Sequence, residues 1–131
     1  MGTIHWKRVY EEATAEDGCR ILVDRLWPRG LSKERAAIAI WAKAVTPSTT
    51  LRKAYHNGEI GYEEFIVSYN RELDEQPDLP DFINTVHACL KTGNVTFVYA
   101  GKQVEKTQIP TLRRRISEGL KRKEVDANGN D

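Results

Sequence analysis

The sequence predicts a small layered α/β domain in which helices cover a short, partly parallel sheet. Two observations predict this class. Short apolar runs rich in branched residues indicate strands covered on both faces, and segments with apolar residues three and four apart indicate amphipathic helices between them. A chain of 131 residues is long enough for one domain with its own core and too short for two ordinary ones. We therefore expect a single Rossmann-like domain over residues 1–131.

The first half of the chain predicts the strands that begin the sheet. Residues 4–10 alternate apolar and polar side chains, as a half-buried strand does. Residues 20–26 form a branched apolar run that predicts a central strand. Ser32 can cap a short helix through its hydroxyl. Residues 38–45 are ambiguous, because they either finish that helix or form a third strand around residues 40–42.

The second half predicts three helices, one strand and a last helix. Ser48 and the threonines after it offer hydroxyl caps to a helix that ends at residues 57–58, where a glycine can adopt the left-handed conformation. A second helix begins near Gly61. Two prolines then break the chain before a third helix that begins at Asp81. The run at residues 95–100 is the clearest strand, and a last helix follows it.

The predicted last helix carries two basic runs, and the end of the chain after them is acidic. Residues 113–115 and 121–123 are all Lys or Arg and form a stripe on the last helix, which can grip the phosphates of nucleic acid. We favour a solvated helix face instead, because nearby glutamates offset the charge and cations are stabilised near a helix C-terminus. Residues 121–131 have no apolar partner and predict a flexible tail.

The overall charge gives no general attraction to nucleic acid or anionic lipid. Lys and Arg number 20 against 19 for Asp and Glu, a net charge of +1, so any basic surface must be local. We find neither an export leader nor an apolar stretch long enough to span a bilayer, and we expect a cytoplasmic protein with no membrane partner. Cys19 and Cys89 fit small buried apolar side chains better than a bridge.

Charged and aromatic side chains follow the predicted central strand at its carboxyl end. Asp24 lies there, and Lys102 follows the later strand in the same way. Ligands gather at this edge of an open sheet, and arginine offers a planar donor fork that suits phosphate or carboxylate. Asp24 would orient an arginine or accept a ligand hydroxyl. The predicted ligand-binding residues are Arg20, Arg25, Trp27, Arg29 and Lys102.

The same residues have a structural alternative. Asp24 can form an internal ion-pair network with Arg25 and Arg29, and Trp27 with the proline after it can plug the edge of the core. For any one residue we favour that alternative. For the whole cluster we favour a ligand, because several cations drawn together without an anion are costly. A third alternative is a homodimer interface in which Trp27 and the arginines are anchors.

His56 is a candidate catalytic residue together with Asp24. It lies in the last turn of a predicted helix. A histidine there is explained without any function, because the helix dipole stabilises a positive side chain near the helix C-terminus. The functional alternative is a general acid or base, because imidazole titrates near neutral pH. His5 and His87 have no companion at metal-ligand spacing, so we expect neither a metal nor another cofactor.

One set of residues forms a family signature. It comprises the segment DGCRILVDRLWPRGLSKE at residues 17–34, then Trp41-Ala42-Lys43, Pro47-Ser48, Leu51-Arg52, His56, Phe65 and Tyr69. These residues resemble the YeaO-like proteins, a bacterial and archaeal family of unknown function, and the resemblance runs from about Arg8 to Leu112. It implies a small cytoplasmic α/β domain. Some members have been labelled transcriptional regulators, and a role in nucleotide or nucleic-acid processing has been suggested for related domains.

The segment after the last predicted strand departs from the family pattern, which reads Ala-Lys-Asp and then His-Asn-Asn. In this chain Lys102 matches the lysine of that pattern, and Gln103 replaces the aspartate. Lys106 replaces the histidine, and Thr107-Gln108 replaces the two asparagines. Gln103 cannot act as a base, and Lys106 would need a strongly lowered pKa to do so.

Two functions follow as hypotheses. The first is the binding of a small anionic, nucleotide-like ligand in a crevice at the strand ends. Such a protein either leaves the ligand unchanged or uses Asp24 and His56 for hydrolysis or group transfer at a phosphate or glycosidic bond. The second is a non-enzymatic nucleic-acid-binding or regulatory module that uses the basic last helix.

Overall fold

The computed structural model describes residues 1–127 and contains a four-stranded sheet in the order β1-β4-β2-β3. The strands are Ile4–Arg8 (β1), Cys19–Leu22 (β2), Ile40–Trp41 (β3) and Val95–Tyr99 (β4). The helices are Lys33–Ala36 (α1), Thr49–His56 (α2), Tyr62–Glu75 (α3), Asp78–Thr92 (α4) and Ile109–Ala127 (α5). The predicted α/β class is confirmed. The three strand pairs are all parallel, so the described sheet is parallel throughout rather than in part.

The central strands β2 and β4 are neighbours, and their side chains alternate between two apolar layers. Ile21 and Phe97 enter the larger layer, whereas Leu22 and Val98 enter the smaller one. The strand predicted over residues 20–26 is shorter than expected. The Val23 N–H still donates to the Val98 carbonyl at 3.0 Å, but regular pairing ends there.

The larger apolar layer is covered by the long helices, and the smaller one by α1 and the loop before it. Residues that α2 to α5 contribute to the larger layer include Leu51, Phe65, Tyr69, Leu73, Val86, Leu112 and Ile116. The smaller layer contains Val9, Leu22, Leu31, Ala36 and Val98, with Trp27 packed against it. This second layer anchors the segment that follows β2.

Local capping explains where the shorter helices begin and end. The hydroxyls of Ser32 and Ser48 each accept a hydrogen bond of 3.1 Å from the backbone N–H three residues on, as predicted. Gly58 has a φ of +74° just after α2. The ambiguous segment forms β3, in which Ile40 pairs with Ile21.

Two helix boundaries differ from those predicted. Helix α4 begins at Asp78 rather than Asp81, because Pro80 falls in the first turn, where the missing N–H is not needed. Helix α5 continues to Ala127 through a segment predicted to be a flexible tail. Lys, Arg and Glu are good helix formers, and Leu120 packs against the core. Residues 128–131 lie outside the described part of the chain, and the single-domain organisation stays a prediction.

The turn into β2 requires a glycine. Gly18 has a φ of +62°, and a Cβ atom there would lie 2.1 Å from the carbonyl oxygen of Asn94. The same oxygen accepts a hydrogen bond from the Cys19 N–H at 2.9 Å. This close approach sets the position of β2 beside β4. In the described residues, none of the helices has both the length and the apolar character needed to cross a bilayer.

Candidate functional site

A cavity of about 380 Å³ opens beyond the carboxyl ends of β2 and β4. Three segments build most of its wall: residues 24–29 after β2, one face of α2, and residues 106–108 before α5. It forms at this edge because neighbouring parallel strands deliver their following loops to the same place. Asp24, Arg25, Trp27, Arg29 and His56, which were predicted from the sequence, all line it.

Asp24 joins the ends of the two central strands. Its Oδ2 accepts a hydrogen bond of 2.7 Å from the Ala100 N–H, and its Oδ1 accepts one of 3.0 Å from the Gln108 side chain. Burial raises the pKa of Asp24 above its usual range, and these two hydrogen bonds offset only part of that rise. Both carboxylate oxygens are therefore already held by uncharged donors of the protein.

Arg25 is held in place by neutral oxygens. Its Nε donates to Thr49 Oγ1 at 2.9 Å, and Nη1 donates to the Pro47 carbonyl at 3.3 Å and to Thr46 Oγ1 at 3.4 Å. Arg29 is exposed at the rim. These contacts orient Arg25, and none of the carboxylates with described positions lies within 4.0 Å of its guanidinium.

The ion-pair network offered as a structural alternative is not present among residues 1–124, whose side chains are described. Within that range, the carboxylates that lie within 4.0 Å of a basic side chain are Asp17, Asp74 and Glu118, and no residue of the cavity takes part. Asp24 therefore does not neutralise Arg25 or Arg29. The cavity brings several cations together with one carboxyl group whose oxygens are already occupied.

Arg52 is a cavity residue that the sequence reasoning did not select. It lies on α2 three and four residues before Tyr55 and His56, on the same helix face. Its Nε is buried and is without a hydrogen-bond partner among the described residues. A buried N–H of this kind is costly when it stays unpaired. The spacing from His56 was the available signal.

Aromatic side chains line the same cavity as these cations. The Trp27 Nε1–H donates to the Leu31 carbonyl at 2.7 Å, and the Trp27 ring meets Trp41 edge-on at 5.6 Å between centroids. Tyr55 stacks on Phe65 at 4.5 Å between centroids. Since ring positions are set by these contacts, the cavity offers fixed apolar surfaces beside its charges.

The loop before α5 is tied to the wall of the cavity. The Tyr55 hydroxyl donates to the carbonyl oxygen of Lys106 at 2.8 Å, and Gln108 donates to the Val23 carbonyl at 3.2 Å as well as to Asp24. Lys106 thus brings a fourth basic side chain to the cavity.

Two predicted ligand-binding residues do not reach the cavity. Arg20 is only 2% exposed, and its guanidinium donates to Asp17 Oδ2 at 2.7 Å and to the carbonyls of Ala36 and Val9 at 2.9 and 3.3 Å. It is a structural residue of the smaller layer, on the same strand face as Leu22. Lys102 is exposed and lies outside the lining residues.

Asp17 provides the counter-charge for Arg20. Burial alone would raise the pKa of Asp17, but hydrogen bonds from Lys7, Arg20 and Thr14 outweigh it and lower the pKa to about 2. Lys7 Nζ is 3.0 Å from Asp17 Oδ1. This buried cluster stabilises the start of β2, at the end of the sheet opposite the cavity.

The basic stripe of α5 is partly neutralised. Arg115 is 2.7 Å from Asp74, and Arg114 is 3.5 Å from Glu118. The Arg113 guanidinium lies over the Trp6 ring at 5.5 Å. Among the residues with described positions, no group of three or more His, Cys, Asp or Glu side chains could hold a metal ion.

Comparison with known proteins identifies a family and several similar chains. The family model described as the inactive DUF488-N3 subclade matches residues 3–131. The chain is 53% identical to the uncharacterized protein YeaO of Escherichia coli over 70 residues, which are 53% of this chain and 61% of YeaO. It is 42% identical to the uncharacterized protein Rv3073c of Mycobacterium tuberculosis over 74 residues, 56% of this chain and 63% of that protein. The matches thus span less than two thirds of these relatives. No solved structure matches the chain.

Proposed function

The chain belongs to the inactive DUF488-N3 subclade, and we propose that it binds a small phosphate-bearing, nucleotide-like ligand in the cavity at the strand ends without turning it over. The observation that carries the proposal is the charge balance of the cavity. Four Arg and Lys side chains line it, namely Arg25, Arg29, Arg52 and Lys106, and none of them is paired with a carboxylate among residues 1–124, whose side chains are described. An anionic ligand supplies the missing charge.

The unpartnered Nε of Arg52 supports the same proposal. A phosphate or carboxylate oxygen is the acceptor that this buried donor lacks, and arginine binds such groups with its planar fork. The aromatic surfaces of Trp27 and Tyr55 favour a ligand that also carries a flat ring. Charge and shape together favour a nucleotide-like molecule over a bare inorganic ion.

Binding without turnover is supported by the state of the acid and by the family description. Both oxygens of Asp24 are occupied by Ala100 and Gln108, so Asp24 acts as a positioning residue that holds two strand ends together. Lys106 stands where the family pattern has a histidine. The subclade that the chain belongs to is described as inactive.

A thermal-shift titration tests the proposal. The protein is heated with inorganic phosphate, pyrophosphate, citrate or adenosine monophosphate at constant ionic strength. A ligand at one hundred times its Kd stabilises the native state by about 2.7 kcal/mol, which corresponds to a rise in Tm of roughly 10 °C for a chain of this length. We expect adenosine monophosphate to raise Tm more than phosphate, pyrophosphate or citrate does. No shift with any of the four anions would overturn the proposal.

Variants locate the binding site. Arg29→Ala removes an exposed cation and should reduce the shift, whereas Arg113→Ala, a matched change on α5, should leave it unchanged. If a short duplex binds instead, with steep salt dependence and loss of binding in Arg113→Ala, the protein is a nucleic-acid-binding module and the cavity proposal fails. Phosphorus NMR of the incubated ligand tests turnover, and the appearance of a product would contradict the non-catalytic part.

A further inference from the structure

Two cysteines that are 70 residues apart in the chain meet at the end of the sheet opposite the cavity. Cys19 is the first residue of β2, and Cys89 lies near the end of α4. Their Sγ atoms are 3.7 Å apart, and both thiols are free and only partly buried. Bonded sulfurs are about 2.05 Å apart, so the two sulfurs must approach each other by less than about 2 Å for a bond to form.

We propose that Cys19 and Cys89 form a reversible dithiol-disulfide pair that joins the start of β2 to the last turns of α4 when the protein meets a low-molecular-weight disulfide. The chain has only these two cysteines, so neither has another partner in the same molecule. The sequence analysis interpreted them as small apolar side chains. Both do pack against the larger apolar layer, but that role does not require the two sulfurs to touch.

The backbone around the pair is already in place for a bridge. The Cys19 N–H donates to the Asn94 carbonyl at 2.9 Å, and the Gly93 N–H donates to the Cys89 carbonyl at 3.1 Å. The residues that follow α4 therefore connect the two cysteines through two backbone hydrogen bonds. Because the segments are adjacent before oxidation, the bridge fixes an existing arrangement instead of creating a new one.

The reaction is a thiol-disulfide exchange in two steps. The Cys89 thiolate attacks one sulfur of the small disulfide, whose S–S bond breaks and releases one small thiol after protonation. Cys19 then loses its proton to solvent and attacks the Cys89 sulfur, which forms the protein disulfide and releases the second small thiol. Two protein thiols are oxidised and one small disulfide is reduced. Burial, with a hydrogen bond and the nearby charge of Cys89, raises the pKa of Cys19 to about 11, so Cys19 stays protonated in the free protein and is the poorer nucleophile for the first step.

The experiment equilibrates the full chain with mixtures of reduced and oxidised glutathione, alkylates the remaining thiols and measures intact mass. We expect two alkylated thiols under reducing conditions. Under oxidising conditions we expect none, with a mass lower by two hydrogens and no bound glutathione. Peptide mapping should show the Cys19–Cys89 link. The bridge should raise Tm by about 5 to 10 °C, because it restricts the unfolded chain, and added reductant should reverse the rise.

The Cys19→Ser variant distinguishes a disulfide-forming pair from two thiols that react independently. Without Cys19, Cys89 should hold glutathione as a stable mixed disulfide, and the variant should show no rise in Tm under oxidising conditions. If that variant fails to fold, the intact mass of the wild type by itself distinguishes an internal disulfide from glutathione adducts. Glutathione adducts or covalent dimers of the wild type would overturn the proposal. The proposal would also be overturned if both thiols of the native chain were alkylated at every ratio of reduced to oxidised glutathione while the denatured chain formed the disulfide.

Discussion

The Oδ2 atom of Asp24 lies 2.7 Å from the backbone nitrogen of Ala100, and this hydrogen bond joins the residues that follow β2 and β4. Gln108 holds the other carboxylate oxygen and also the Val23 carbonyl. One side chain from the loop before α5 thus fixes the acid and the strand end together. The alignment of the cavity wall depends on these three contacts.

Gln108→Glu should place a second carboxylate against Asp24 and destabilise the protein. We expect a loss of about 2 kcal/mol at neutral pH, because like charges repel and the donor to Val23 disappears. The pKa of Asp24 is already raised in the folded state, so the loss should be largest above the raised pKa and should shrink as pH falls and a carboxyl group takes up a proton. Circular dichroism melts between pH 5 and pH 8 measure this. The matched control is Gln103→Glu, an exposed site in the same loop, where an equal loss would contradict the account.

Arg52→Met should stabilise the ligand-free protein. The variant removes a buried N–H without a partner and keeps most of the apolar length of the side chain, so we expect a gain of about 1 kcal/mol in the free energy of unfolding. Urea denaturation at neutral pH measures it. Lys53→Met, at the exposed neighbouring position of α2, is the control and should change the value by less than about 0.5 kcal/mol. A clear loss in Arg52→Met alone would mean that its guanidinium is satisfied within the fold.

Asp17→Asn should be strongly destabilising at neutral pH, because it leaves the buried Arg20 without its counter-charge. Breaking such a pair costs about 3 to 5 kcal/mol. The pKa of Asp17 is lowered to about 2, so the ionised carboxylate stabilises the fold above the ordinary Asp pKa, and that contribution is lost as pH falls towards 2. The difference between wild type and variant should therefore narrow in acid, as measured by melts from pH 7 to pH 2.5. Asp74→Asn, at a mostly exposed carboxylate, should show only a small difference at any pH.

Gly18→Ala should cost more than an alanine at another positive-φ glycine. At Gly18 the new Cβ meets the Asn94 backbone at 2.1 Å, whereas at Gly58, with a φ of +74°, it meets no atom within 4 Å. We expect Gly58→Ala to lower the free energy of unfolding by about 1 kcal/mol from backbone conformation alone. Gly18→Ala should lower it by at least about 3 kcal/mol, because the backbone must also move there. Chemical denaturation of the two variants gives the comparison, and similar losses would show that the contact at Gly18 relaxes freely.

The parts of the fold that depend on local patterns were predicted from the sequence. Branched apolar runs gave β2 and β4, and hydroxyl caps gave the starts of α1 and α2. The strand over residues 20–26 was predicted too long, because its residue types do not show that pairing with β4 stops after Val23. Helix α4 was predicted to start late, because a proline in a first turn looks the same in sequence as a proline that breaks a helix.

The sequence predicted where the candidate site lies but not all of the residues that line it. Parallel strand ends converge, and this rule predicted that Asp24, Trp27 and Arg29 lie at one crevice, where they do line the cavity. Arg20 was misplaced because alternation along a strand turns neighbouring side chains to opposite faces, and the sequence does not say which face meets the smaller layer. Arg52 was missed because its spacing of four residues from His56 shows only that the two share a helix face, and not that this face of α2 lines the cavity.

The position of β4 in the middle of the sheet also decides when the protein can fold. Val95 pairs with Ile4 on one side and with Cys19 on the other, so the two earlier strands have no partner between them until the late part of the chain has left the ribosome. Contacts between residues so distant in sequence form slowly. Nascent chains that stop before β4 therefore have β1 without the strand it pairs with, and unpaired strand edges of this kind favour aggregation.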